Sequence, residues 1–183
     1  MAFNVPTYST DRFSFGPGVL YIGAPGTTPT VEIGAVKGDM EIAIDRTQLE
    51  VKQGSPQSLV KSYAVEELVG IKFNGIEWNL DNLAYVMGAG ITSVSGAEEI
   101  LEFGGDMDVS SRALRFVHIL PDGGTVDIHL FQAEGSGELA IAMKETDMHE
   151  LPMTFKALEA SLDFEGAVPA VNKKKFKILR MRV

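Results

Sequence analysis

Cysteine is absent from the 183 residues. That excludes disulfides, thiolate metal sites and a thiol nucleophile, and it removes any need for an oxidising compartment. No apolar run approaches the ~20 residues that cross a bilayer as a helix. Met1-Ala2-Phe3-Asn4-Val5-Pro6 has neither a basic n-region nor an apolar h-region, so a cleaved secretion signal is not expected. Basic residues are in the minority, 16 Lys and Arg against 25 Asp and Glu, giving a formal net charge of −9. A protein that grips duplex nucleic acid needs clustered cations, which argues against that role. An acidic surface can still face DNA, if the task is to let it slide past without sticking. Hydrophobic content of 45% and charged content of 22% are ordinary for a globular chain, so extensive disorder is not expected. The length fills one well-buried domain, 1–183, and is short for two.

Catalytic signatures are scarce as well. Gly16-Pro17-Gly18 and Gly23-Ala24-Pro25-Gly26 look at first like a phosphate-cradling loop. Neither GxGxxG nor GxxxxGK[ST] is present, however, and no helix pattern follows on which a phosphate could rest. These glycines read as turn residues. No serine sits in a GxSxG elbow; Gly54-Ser55-Pro56 and Gly135-Ser136-Gly137 lie in turns without an adjacent histidine. Glu66-Glu67 and Glu98-Glu99 are sequence neighbours, which on a strand point to opposite faces and cannot form an acid–base pair. His118 and His129 flank the turn at 121–124 and can be cross-strand neighbours, with Glu98 or Asp127 as further ligands. Their spacing matches no recognised metal motif, and two histidines on a wet sheet face are the simpler reading. No cofactor, metal or catalytic residue is expected.

What the chain does contain is alternation. Met40 to Asp45 switches between apolar and polar with period 2, the pattern of a strand with one dry and one wet face. After Arg46 the phase flips to Leu49 and Val51, which predicts a bulge or bend. Gln53-Gly54-Ser55-Pro56-Gln57 is a polar turn. A second run returns from Leu59 to Trp78, with Tyr63, Val65, Val69, Ile71 and Phe73 on one parity and Ser62, Glu66, Gly70, Lys72 and Asn74 on the other. The two runs make a hairpin whose arm is longer than one small domain needs, so it is expected to pair or stack with neighbouring copies.

Around it lie shorter elements. Val19 to Ile22 and Thr30 to Val36 read as strands. Asn79 is a plausible N-cap, Asp81 adds negative charge in the first turn, and Leu80, Leu83, Ala84 and Met87 recur at helical spacing before Gly88. So short a helix must lie on the sheet, and Trp78 is expected to anchor it by burial. Ser93 to Gly96 is expected as a turn, Glu98 to Phe103 as a strand or connector, and Glu138 to Met143 as a short apolar stretch. Leu114, Phe116 and Leu120 face Val126, Ile128 and Leu130 across Pro121-Asp122-Gly123-Gly124 in a second hairpin. Leu151 to Ala157 and Phe176 to Val183 complete the strands. Residues 1–15, with Phe3, Tyr8, Phe13 and Phe15, read either as a frayed terminus or as an arm that docks on another subunit. Lys173-Lys174-Lys175 reads as a solvated strand edge or as a contact for phosphate or an acidic partner. The architecture expected is mainly β: an antiparallel β-barrel or sandwich with one flanking α-helix and a long protruding hairpin.

In this order the pieces resemble the tail tube (major tail) proteins of long-tailed bacteriophages. The likeness is carried by Gly16-Pro17-Gly18-Val19-Leu20-Tyr21-Ile22-Gly23, Glu32-Ile33-Gly34-Ala35, Val51-Lys52-Gln53-Gly54-Ser55-Pro56, Glu77-Trp78-Asn79-Leu80-Asp81-Asn82-Leu83-Ala84 and Leu151-Pro152-Met153-Thr154-Phe155-Lys156-Ala157-Leu158. It covers about residues 16 to 160. The resemblance implies a structural virion protein in which six copies form a ring whose inner strands join into one barrel. Rings then stack into a hollow tube through which DNA passes without specific binding. It implies contacts with tape measure, terminator and distal tail proteins, assembly in the host bacterial cytoplasm, and no membrane. By the same likeness the extended stretch 46–60, with its tip Gln53, Gly54, Ser55, Pro56 and Gln57, reaches the next ring. Glu41, Asp45, Glu66 and Lys72, on the wet parity of the hairpin, are expected to face the bore. Competing readings are the inner tube of a contractile tail, a type VI secretion ring protein or a tail completion protein, and, in a different class, a monomeric β-sandwich binding module for a sugar or peptide.

Overall fold

Alternation in the sequence becomes strands that bury one parity. In β1 (Gly18–Gly23), Leu20 and Ile22 are buried while Val19 is exposed. In β9 (Leu151–Ala157), Leu151, Met153, Phe155 and Ala157 all point into the core. The remaining strands are β2 (Val31–Glu32), β3 (Val36–Gln53), β4 (Ser58–Gly75), β5 (Ile91–Ser95), β6 (Glu98–Glu102), β7 (Ser111–Ile119), β8 (Thr125–Gly135) and β10 (Phe176–Met181). One helix, α1 (Leu80–Met87), follows β4. This computed structural model describes residues 18–181, apart from 106, 122, 138, 142 and 144 and the side chain of Asn172. The aromatic segment 1–15 therefore lies outside the described residues, as do the last two positions of the final strand.

The protein is mainly β, 56% strand and 6% helical, and every strand pairing is antiparallel. The large sheet runs β2-β1-β7-β8-β9-β4-β3, and β10 also pairs with β8. The fork is at β8. Its residues 125–130 bond to β10, while 133–135 bond to β9. The sheet thereby splits into two layers and stays open, so of the two expected forms it is the sandwich-like one. β5 and β6 form a separate two-stranded sheet.

Between the layers lie Ile71, Phe73, Leu114, Leu130, Leu151, Met153 and Phe155, with Leu83 and Val86 of α1 closing one flank. Phe73 and Phe155 stack at 6.2 Å. A satellite core of Ala113, Phe131, Ala160 and Phe164 covers the other face of the β7–β8 hairpin. The caps of α1 are as the sequence predicts: the Asn79 side chain accepts from the Asn82 amide, and Gly88 takes the left-handed conformation at φ 70°. Helix and sheet touch backbone to backbone at Gly135, where an added Cβ would lie 2.1 Å from the Val86 carbonyl oxygen. Only glycine fits that approach. Asn82, buried, donates to the Ile33 carbonyl at 2.6 Å and ties the helix to the chain beside β2.

Four expectations are corrected. Trp78 is 48% exposed and does not anchor the helix; buried Leu83, Ala84 and Val86 do so. Only Val31–Glu32 of the expected strand 30–36 pairs with β1 before the chain turns into β3. Ser93 to Ser95 belong to β5 rather than to a turn. His118 and His129 pair with Val126 and Arg115, so they lie on opposite faces of the β7–β8 hairpin. Neither face is wet there, because His118 is buried and His129 is covered by Phe164. They cannot share a metal. Among the described residues no group of three His, Asp or Glu is placed to hold one.

Candidate assembly surface on the β3–β4 arm

β3 and β4 each have 18 residues, about 60 Å of extended chain at ~3.4 Å per residue. β9 supports β4 only at residues 70–75. From Ile44 to Glu66 every residue is exposed. The outer edge of β3 ends the strand path, so its backbone donors and acceptors there have no partner strand among the described residues. A long exposed edge of this kind invites another chain to pair with it.

The register of the ribbon decides what each face carries. Ile42 pairs with Ile71 and Ile44 with Val69, and this parity enters the core at the base of the arm. On the other face Glu41 pairs with Lys72, Asp45 with Leu68 and Thr47 with Glu66. Directly paired residues share a face, so Glu41, Asp45, Glu66 and Lys72 all lie on the one side turned away from the core. All four are exposed.

Beyond Thr47 the pairing slips: Thr47 opposes Glu66, and Gln48 opposes Ala64, leaving Val65 unopposed as a bulge on β4. The phase flip seen in β3 is therefore matched by an extra residue in β4. Leu49 then pairs with Tyr63 and Val51 with Lys61 on the face that carries the acids nearer the base. The single apolar parity expected through Tyr63, Val65, Val69, Ile71 and Phe73 is thus broken, and so is its polar complement: Ser62 no longer shares a face with Glu66. Parity persists along a strand only until an extra residue intervenes. The outer arm presents its apolar side on the face that is wet at the root.

That apolar side is uncovered. Leu49 is 57% exposed and Tyr63 49%, with Val51 beside them and Leu68 nearer the base similarly open; Leu59, on the opposite face, and the unopposed Val60 and Val65 are exposed as well. Burying an aliphatic side chain from water contributes about 1.5–3 kcal/mol, so a cluster this size is a strong driving force left unused by the single chain. Sequence reasoning placed Leu49 and Val51 in the stretch 46–60 expected to reach the next ring and Tyr63 on the parity of Val69 and Ile71, and did not unite the three as one apolar assembly face. Their signal was present as apolar residues on a parity that a lone ribbon cannot bury.

Polar contacts stiffen the ribbon. Arg46 Nη2 lies 2.5 Å from Glu67, Glu50 pairs with Lys52 at 3.0 Å, and Lys61 Nζ sits 4.7 Å from the centre of the Tyr63 ring. Exposed pairs of this kind hold geometry more than they stabilise, at about 0–1 kcal/mol each. At the root, Lys175 Nζ donates to the Glu67 carbonyl, and Lys174 bonds Glu159 at 2.6 Å, which holds the Glu159 carboxyl below its usual pKa. Lys175 therefore ties the start of the final strand to the arm, while Lys174 ties it to the segment after β9. Lys37, near the base of β3, bonds Asp147 at 2.7 Å and Glu150 at 3.2 Å, and both contacts raise its pKa. At the far end Gly54-Ser55-Pro56-Gln57 closes the ribbon beyond the Gln53–Ser58 pair, with a cis Ser55–Pro56 bond and Gly54 at φ 99°.

Behind the β7–β8 hairpin lies a small polar cluster. Arg115 Nη2 bonds the buried Asp127 at 2.6 Å, and His129 Nε2 stands 3.8 Å from the same carboxylate. The Phe164 ring stacks on His129 with centroids 4.4 Å apart. Burial lowers the His129 pKa; Asp127 opposes that shift, and Arg115 and Lys177 reinforce it.

No curated protein matches the chain. A family model described as phage tail tube protein matches residues 18–168, a span that takes in the arm, the helix and every strand but the last. A mainly β body whose longest element is held out to solvent accords with that match, and the chain belongs to the phage tail tube protein family, as a structural component of the virion tail.

Proposed function

We propose that copies of this chain close into hexameric rings and that the rings stack into the hollow tube through which phage DNA leaves the virion. The observation that carries this reading is the arm, exposed from Ile44 to Glu66, apolar on one side of its outer half and unpaired along its edge. Sister subunits supply what it lacks. Four strands from each of six subunits, at ~4.8 Å spacing, give a circumference of about 115 Å before tilt, which leaves a bore wide enough for a duplex. Closure would also remove the free edge of β3.

Glu41, Asp45 and Glu66, with Lys72 beside Glu41, are the bore-facing residues in this reading; their common side of the ribbon supports it. Three carboxylates against one ammonium give a wall that repels phosphate and keeps the passage slippery. The tip Gln53–Gln57 reaches the next ring. No catalytic step is involved. Partners are other copies of the chain and the tape measure, terminator and distal tail proteins, and assembly takes place in the host bacterial cytoplasm.

Size-exclusion chromatography and negative-stain imaging of the purified protein test the reading. Rings or tubes are expected, and deletion of residues 54–57 should leave soluble subunits that no longer polymerise. A compact monomer at all concentrations, with the arm folded onto its own body, would overturn it.

A further inference from the structure

An open cleft of about 440 Å³ lies between the start of α1 and the β5–β6 sheet. It is lined by Glu77, Trp78, Asp81, Val94, Glu99 and Ile100, among others, and by no residue of the arm. Its size is that of sites which take a small ligand or a few side chains. Three carboxylates border it without a lysine or arginine. Trp78 is 48% exposed and Val94 75% exposed. A two-stranded sheet such as β5–β6 is marginal without further cover, so this corner gains from being filled.

The outer arm carries the complementary surface. Beyond the Val65 bulge, the face holding Leu49, Val51 and Tyr63 includes Lys61 and no carboxylate. Lys61 already lies over the Tyr63 ring, and the whole stretch is exposed. An apolar stripe with one cation matches a mainly polar cleft that has an acidic border and offers Trp78, Val94 and Ile100 as its apolar contacts. The two surfaces stand apart within one chain, both open to solvent.

We propose that the occupant of the cleft is the arm of a second copy of this chain, with the Lys61 ammonium entering between its own Tyr63 and the neighbour's Trp78 beside Glu99. A cation held between two aromatic faces with a carboxylate near gains from each of them, most from tryptophan and most once water is displaced. The inference rests on the polymerisation proposed above and names the surface that receives the arm.

Because the chain has no cysteine, an engineered pair reports contact without background. Lys61→Cys and Glu99→Cys proteins, mixed under mild oxidation, are expected to give a disulfide-linked dimer that neither gives alone. Charge reversal supplies the second readout: K61E and E99K should each lose tubes by electron microscopy, and the K61E/E99K double variant should regain them. Circular dichroism is expected to show all of these variants folded, since both positions are exposed. Wild-type tubes together with unimpaired K61E tubes, or a double variant as defective as the singles, would overturn the contact while leaving polymerisation standing. A wild-type protein that never assembles overturns both.

Discussion

Leu49 and Tyr63 face each other directly across the arm, on the side turned away from the core, and each is about half exposed. A cross-strand aromatic–aliphatic pair contributes only about 0.2–1 kcal/mol to a sheet. Their exposed area offers more to a partner than to the chain that carries them.

Replacing both, as L49S/Y63S, is therefore expected to leave the isolated subunit folded, with unfolding free energy changed by less than about 1 kcal/mol. Polymerisation should be lost. Urea denaturation and light scattering separate the two effects. A subunit that unfolds outright, or tubes that form at the normal rate, would contradict the assignment of these residues to the assembly surface.

Reversing charge on the base of the arm tests the bore. Virions carrying E41K/D45K/E66K should still build tails, because these side chains are exposed and support no core contact. Their genome ejection should slow, and slow most at low ionic strength, where lysine–phosphate attraction is least screened. Ejection followed by DNA release at two salt concentrations checks this; unchanged rates at both would place the acids elsewhere on the tube.

His129 makes stability depend on acid. Its pKa in the folded protein is depressed, chiefly by burial, relative to an ordinary value near 6.5. The unfolded chain then binds a proton that the folded chain resists, and stability rises with pH wherever the unfolded state is the more protonated. Its contribution is complete above about pH 6.5 and is lost as the pH falls below that value. Melting temperatures measured from pH 7 down to 5 should fall, and H129F, which keeps a ring against Phe164 but cannot titrate, should flatten the curve in that window. An identical pH dependence in H129F would assign the effect to other groups.

Gly135→Ala is expected to destabilise the body by about 1–3 kcal/mol, since its new methyl group would fall 2.1 Å from the Val86 carbonyl oxygen of α1. The backbone there cannot give way as the end of a flexible side chain would. Denaturant melts of G135A measure it, and a wild-type midpoint would mean that the helix slides freely on β8.

Much of this protein was legible before folding. Period-2 alternation marked β9 and the base of the arm because a half-buried strand has no other economical pattern. Asn79, Asp81 and Gly88 marked α1 because helix ends have donors and acceptors that only certain residues satisfy. The acids of the arm were grouped on one face because no extra residue interrupts β3 between Glu41 and Asp45 or β4 between Glu66 and Lys72. Trp78 misled because its size suggests burial, whereas the N-cap geometry and the β5–β6 sheet leave it at the rim of a cleft. The histidines misled because proximity along a hairpin does not say which face each one takes.

The sequence by itself determined the class of structure, the helix and its caps, and the presence of an arm too long for one body. Only the tertiary structure decided where Val65 is squeezed out of the ladder, and with it that Leu49 and Tyr63 turn to the side of Glu41 and Asp45 rather than to that of Ile42 and Ile44. The reason is physical. Alternation fixes which residues share a side within an unbroken strand, but the side itself is set by hydrogen-bond register with a partner strand, which a one-residue bulge inverts.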